Sequence, residues 1–180
     1  KHIRDNNPNA KVGLIGLLPT VLSDELLNLA DFVIKGEPDT FFHLNPISSL
    51  KLEGILKGDT LQDIDELPFP KWHKFSMKQF VHKPFFSNKI VYPVLSSRGC
   101  PFSCKYYCAY PIFAGAKVRY RDVDKIIEEL DYLRDTYNAQ AILFRDPTFT
   151  LNKKRIEELC DKMIEKKYNY VWACETHPSC

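Results

Sequence analysis

Cys100, Cys104 and Cys108 lie four residues apart, directly after the apolar run at residues 90–95. Three thiols so close cannot all pair with one another, and the rest of the chain lacks the spaced cysteines of a secreted disulfide framework. Soft thiolates instead suit iron–sulfur chemistry or zinc. Iron–sulfur clusters ordinarily take four cysteines, so three without a nearby fourth leave one iron free of protein ligand. An open metal position is where chemistry happens, as at catalytic zinc sites. Two carboxylates, Asp146 and Glu175, each come after a short apolar run and are the other candidates for the same site.

Elements must bring these groups together. Residues 11–16 read as a buried strand followed by a turn at Pro19-Thr20, Ser23 as the cap of a helix over residues 24–29, and Phe32-Val33-Ile34 as a second strand ending at Gly36-Glu37. That succession is a βαβ unit, the end of a Rossmann-like domain over residues 1–45. Residues 46–87 break into isolated aromatics, glycines and the proline-flanked Pro68-Phe69-Pro70, and read as a connection that docks through its aromatics. His73 and His82 fall in it, where exposure is the default.

Residues 88–180 are strongly periodic. Asp122 caps a helix with Ile126, Ile127, Leu130, Leu133 and Tyr137 on one face and Lys125, Glu128, Glu129, Asp131 and Arg134 toward water. Ala141-Ile142-Leu143-Phe144 is a strand. Asn152 caps a second helix that buries Ile156, Leu159, Cys160, Met163 and Ile164, and residues 168–174 form a further strand. The fold class is therefore α/β: a Rossmann-like βαβ end followed by the first βα units of a partial parallel (β/α) barrel. In such sheets the active face lies beyond the carboxyl ends of the strands. The cysteine loop, Asp146 and Glu175 come after three successive strands and so meet on that face.

Composition excludes less. The chain has 180 residues, with 25 Lys and Arg against 23 Asp and Glu, so no overall field argues for nucleic acid or an anionic membrane. No apolar run approaches the roughly 20 residues of a membrane span, and residues 1–5 are not followed by a signal-peptide core. The expected location is cytoplasmic, where thiols stay reduced. The start without methionine and the end just past a strand suggest a fragment. Lys153-Lys154-Arg155 reads as a solvated basic face, and Cys160 and Cys174 as core thiols.

Ser97-Arg98-Gly99-Cys100-Pro101-Phe102-Ser103-Cys104, with Tyr107 before Cys108, resembles the radical S-adenosylmethionine (radical SAM) superfamily, although one extra residue separates the second and third cysteines. Val118-Arg119-Tyr120-Arg121, Phe144-Arg145-Asp146-Pro147-Thr148-Phe149, Gly36-Glu37 and Asp65-Glu66-Leu67-Pro68-Phe69-Pro70 are similar to its cobalamin-binding branch. The resemblance implies that Cys100, Cys104 and Cys108 hold a 4Fe-4S cluster that chelates S-adenosylmethionine and cleaves it to a 5'-deoxyadenosyl radical. It also implies cobalamin as a further cofactor and an external one-electron donor of flavodoxin or ferredoxin type. Tyr107 would pack near the adenine, and Asp146 and Glu175 would hold polar groups of the same cofactor. The commonest outcome in that branch is methyl transfer, here to a small-molecule or lipid-like substrate that the sequence does not name. The rival reading is a non-catalytic structural or interaction module in which the same thiols hold zinc or an iron–sulfur cluster.

Overall fold

Short apolar runs punctuated by glycine give the first half its strands, and capped amphipathic helices organise the second. The computed structural model describes residues 2–79, 86, 89–104 and 107–180. The chain divides into two compact units, residues 1–62 with 99–118 and residues 63–98 with 119–180. Two sets of parallel strands form the main sheets, as the α/β reading predicts.

In the first unit α1 (His2–Asn6) and β1 (Gly13–Leu14) precede α2 (Leu17–Val21) and α3 (Ser23–Leu27). Then come β2 (Phe32–Gly36), α4 (Pro38–Leu44) and β3 (Gly54–Gly58). All strand pairs are parallel, in the order β1-β2-β3. Phe32, Ile34 and Phe41 form the buried centre, flanked by Leu50, Leu52 and Leu56. Pro38 opens α4, where its missing N–H is no loss. Behind it the buried Glu37 carboxylate accepts from Thr40 Oγ1 at 3.1 Å.

Two expectations are corrected here. Ser23 is the first residue of α3 rather than its cap: Leu22 holds the cap position, and the buried Ser23 hydroxyl has no partner among the described residues. Residues 46–87 are not connection throughout, because β3 pairs along its whole length with β2. Its five residues, two of them glycine, are too few to announce a strand by alternation. Close approach to Gly36 and Glu37 explains Gly58, where a Cβ would lie 2.6 Å from the Glu37 carbonyl oxygen, while Gly54 has a left-handed φ of +70°.

The second unit holds the parallel sheet β4 (Val91–Val94), β7 (Ala141–Phe144) and β8 (Val171–Cys174), in that spatial order. Between β4 and β7 lie β5 (Ser97–Arg98), β6 (Arg119–Tyr120) and α6 (Val123–Tyr137); α7 (Lys153–Glu165) precedes β8. Val94, Phe144 and Cys174 stand in register across the sheet. Ile126, Leu130 and Leu133 of α6 and Leu159 of α7 are fully buried with Ile142 and Phe144. Both caps are as the sequence predicts: Asp122 accepts from Asp124 N at 2.8 Å and Asn152 from Arg155 N at 3.2 Å.

The connection's aromatics dock on this unit. Phe69 lies 5.8 Å from the Tyr132 ring and Trp72 6.1 Å from Tyr92, while His73 Nδ1 meets the Tyr137 hydroxyl at 3.2 Å. His82 lies outside the described residues. Three burial assignments fail. Glu129 is buried and paired with Arg121, Arg155 is 9% exposed rather than solvated, and Ile164, placed on the buried stripe, is 73% exposed. In the first two cases a partner outside the helix, Arg121 for Glu129 and Ser96 for Arg155, draws a charge inward that helical spacing alone would leave in water.

Candidate cofactor site

The carboxyl ends of β4, β7 and β8 lie side by side, so the residues that come after these strands share one edge of the second unit's sheet. After β4 come Ser96 and Ser97, both buried, leading toward the cysteines. After β7 comes Asp146, wholly buried. Its carboxylate accepts from Ser96 N at 3.0 Å, Ser96 Oγ at 2.9 Å and Ser97 Oγ at 2.5 Å. A buried carboxylate is tolerable only when its lone pairs are filled this way. Asp146 thus secures the segment that enters the cysteine loop.

Arg155, in the first turn of α7, reaches the same place. Its Nη2 donates to Ser96 O at 2.7 Å and Arg121 O at 3.1 Å, and its guanidinium lies 5.1 Å from the centre of the Tyr120 ring. Burial lowers the Arg155 pKa, partly countered by the nearby Asp146 charge. Arg121 in turn donates to Asp65 Oδ1 at 3.0 Å and pairs with Glu129. Burial pushes the Glu129 carboxyl above its usual range despite the Arg121 charge beside it. Sequence reading missed Arg155, Ser96, Ser97 and Arg121. The one signal for Arg155 was Asn152: a cap there fixes Arg155 three residues into α7.

Residues 99–118 belong to the first unit and carry the thiols. Gly99 has φ +91°, and a Cβ there would lie 2.2 Å from the Lys117 carbonyl oxygen. Cys100 N donates to Gly115 O at 3.1 Å, closing the loop behind it. Within this unit α5 (Tyr110–Ala114) packs against α2 and β2. Cys100 is buried, Cys104 half-buried and Cys108 exposed, and Tyr107 is 89% exposed. All three thiols are free. They share one loop, yet no group of three His, Cys, Asp or Glu side chains is gathered for a metal among the described residues. Lys105 and Tyr106, between the second and third cysteines, lie outside those residues.

Gly99→Ala tests this loop. The left-handed φ costs a non-glycine residue roughly 1–2 kcal/mol, and the Lys117 backbone, unlike a flexible side chain, has nowhere to go. Limited proteolysis is expected to cut residues 99–118 much faster in the variant, with the second unit still resistant.

Glu175 lies just beyond β8. Its carboxylate pairs with Arg145 and its carbonyl accepts from Phe149 N at 3.0 Å, so the side chain sits about half exposed at the sheet edge. Cys160 and Cys174 are half-buried, and burial raises both thiol pKa values, as expected of packing thiols rather than reactive ones. Among the described residues no helix is long and apolar enough to cross a membrane.

No family model matches the chain. It is similar to an uncharacterized methyltransferase of Pyrococcus horikoshii, at 32% identity over 64% of this chain and 24% of that protein. It is also similar to the cytidylyl-2-hydroxyethylphosphonate methyltransferase of Streptomyces wedmorensis, at 29% identity over 63% of this chain and 23% of that protein. The anaerobic magnesium-protoporphyrin IX monomethyl ester cyclase of Cereibacter sphaeroides is 26% identical over 88% of this chain and 29% of that enzyme. The chain spans about a quarter of the length of these relatives.

Proposed function

We propose that this chain forms part of a cobalamin-dependent radical SAM enzyme that carries out methyl transfer or related radical chemistry. The observation that carries the reading is one loop bearing three free thiols, entered from the carboxyl edge of a parallel sheet through a buried, carboxylate-anchored segment. Its likeness to two methyltransferases and a cyclase agrees with that class of reaction.

The donor set suits an iron–sulfur cluster by its chemistry: three soft thiols, unpaired, within nine residues of sequence. Bound there, the cluster and its cosubstrate would supply one-electron reductive cleavage of the S-adenosylmethionine sulfonium. Cys100, Cys104 and Cys108 are the assigned ligands. Metal binding and ordering are coupled in such sites, so binding itself would draw the exposed Cys108 to its companions.

Tyr107 presents an exposed ring beside Cys108, free to cover an adenine. Glu175 offers a half-exposed carboxylate for an ammonium or ribose hydroxyls once Arg145 yields it. Asp146 has both oxygens engaged and contributes by holding Ser96 and Ser97 in place. The parallel sheet of the first unit is assigned to cobalamin, and an external flavodoxin- or ferredoxin-type protein to electron delivery, in the cytoplasm. The substrate is a small or lipid-like molecule.

Anaerobic reconstitution with iron and sulfide, then addition of S-adenosylmethionine and a chemical reductant, tests this. Formation of 5'-deoxyadenosine or S-adenosylhomocysteine is expected. A colourless protein that retains zinc and leaves the cosubstrate intact would assign the thiols to a structural module.

A further inference from the structure

We propose that Arg155 staples the base of the cysteine loop shut and, with Asp146, fixes the two legs from which the ligand-bearing segment springs. Both act as positioning residues. The inference rests on the reading of Cys100, Cys104 and Cys108 as cluster ligands, but its structural half can be tested apart from that reading.

The loop leaves the second unit through β5 and returns through β6. These pair over two residues only, Ser97 with Tyr120 and Arg98 with Arg119. So short an antiparallel ladder is not stable alone. Just outside it, Arg121 N donates to Ser96 O at 3.0 Å. The planar Arg155 guanidinium then spans both legs: Nη2 to Ser96 O at 2.7 Å, with Nε at 3.2 Å and Nη2 at 3.1 Å from Arg121 O. Asp146 fastens the outgoing leg from the other side through Ser96 and Ser97. Asp146 and Arg155 come from elements about fifty and sixty residues further along the chain, so these contacts are made only by the finished fold.

Nothing local favours Arg155 where it stands. A cation in the first turn of a helix opposes the helix dipole, and its burial is unfavourable unless the fork is filled. The carbonyls of Ser96 and Arg121 fill it. A loop with free ends must pay for bringing them together when ligand binds, whereas one stapled at its base has its ends held together by the fold and leaves only its interior to order. Lysine cannot replace the staple, because a single ammonium lacks the planar fork that bridges two carbonyls.

The test compares wild type, Arg155→Met, Arg155→Lys and Ser97→Ala by amide hydrogen exchange without cluster, then by iron and sulfide content after anaerobic reconstitution. In Arg155→Met, exchange within residues 99–118 is expected to quicken by about tenfold or more while α6 keeps its protection. Retained iron is expected to fall by about tenfold or more. Arg155→Lys should not restore either quantity, and Ser97→Ala should give the same pattern more weakly. Wild-type loop exchange and iron content in both Arg155→Met and Ser97→Ala, or full restoration by lysine, overturns the staple. If Arg155→Met loses protection everywhere, Ser97→Ala alone decides. If wild type takes up no iron while the loop exchange still differs, the staple stands and the cofactor reading falls.

Discussion

Replacing Cys100 with alanine is expected to leave the protein without visible absorbance after anaerobic reconstitution and without any cleavage of S-adenosylmethionine. Cys100 is the one buried thiol of the three, fixed from behind by its own N–H to Gly115 O and preceded by a glycine pressed on the Lys117 backbone. It is therefore the proposed ligand whose position the fold already determines. Cys104 and Cys108, half-buried and exposed, complete the proposed set, and alanine at either is expected to give the same outcome. Serine at position 100 should not rescue binding, since a hydroxyl does not ionise to a soft anion as a thiol does. Cys160→Ala and Cys174→Ala provide the contrast. Both thiols are half-buried packing groups with raised pKa values, so these variants should keep their iron while losing a modest amount of stability. Iron analysis and the visible spectrum of the five alanine variants side by side distinguish ligand from packing cysteine.

Asp146→Ala should be the most destabilising single change at the sheet edge. The carboxylate is wholly buried and takes three hydrogen bonds, one from a backbone N–H and two from serine hydroxyls. Its removal strands all three donors in a dry environment and takes from the buried Arg155 the stronger of the two carboxylate charges that support it, leaving Asp65. Breaking one side of a buried charged network typically costs about 3–5 kcal/mol. That is a large share of the stability of a domain this size. Asp146→Asn should lose less, because the amide keeps one acceptor oxygen for Ser96 and Ser97. Urea denaturation monitored by circular dichroism checks the order: wild type, then Asn, then Ala. A loss below about 1 kcal/mol for alanine would match a surface carboxylate, not this one.

The parts of the fold that local patterning dictates were legible in the chain. In α6 and α7, apolar residues recur at helical spacing behind the caps Asp122 and Asn152, and the structure places both helices there. The short apolar run at residues 141–144 reads as a buried strand, and it is the centre of its sheet. The features that escaped depend on partners outside the element itself. Glu129 and Arg155 look like solvated helix residues until Arg121 and the carbonyl of Ser96 are brought beside them. β3 has too few residues to declare its pairing, and only the adjacent β2 makes a strand of it.

The site divides along the same line. The spacing of the three cysteines and the strand-end positions of Asp146 and Glu175 were readable, because motifs and loop positions are sequence properties. The engagement of Asp146 by two serines was not readable, nor was the Arg145 partner of Glu175. Under the proposed cluster reading the thiols converge only on binding, as metal and loop order together.

The most direct measurement is the electron paramagnetic resonance spectrum of the anaerobically reconstituted, one-electron-reduced protein before and after addition of S-adenosylmethionine. A cluster of about four irons with one unligated by protein should give a signal whose line shape changes when the amino-acid end of the cosubstrate takes the open position. A protein that holds zinc and gives no signal, or a signal indifferent to S-adenosylmethionine, would contradict the account.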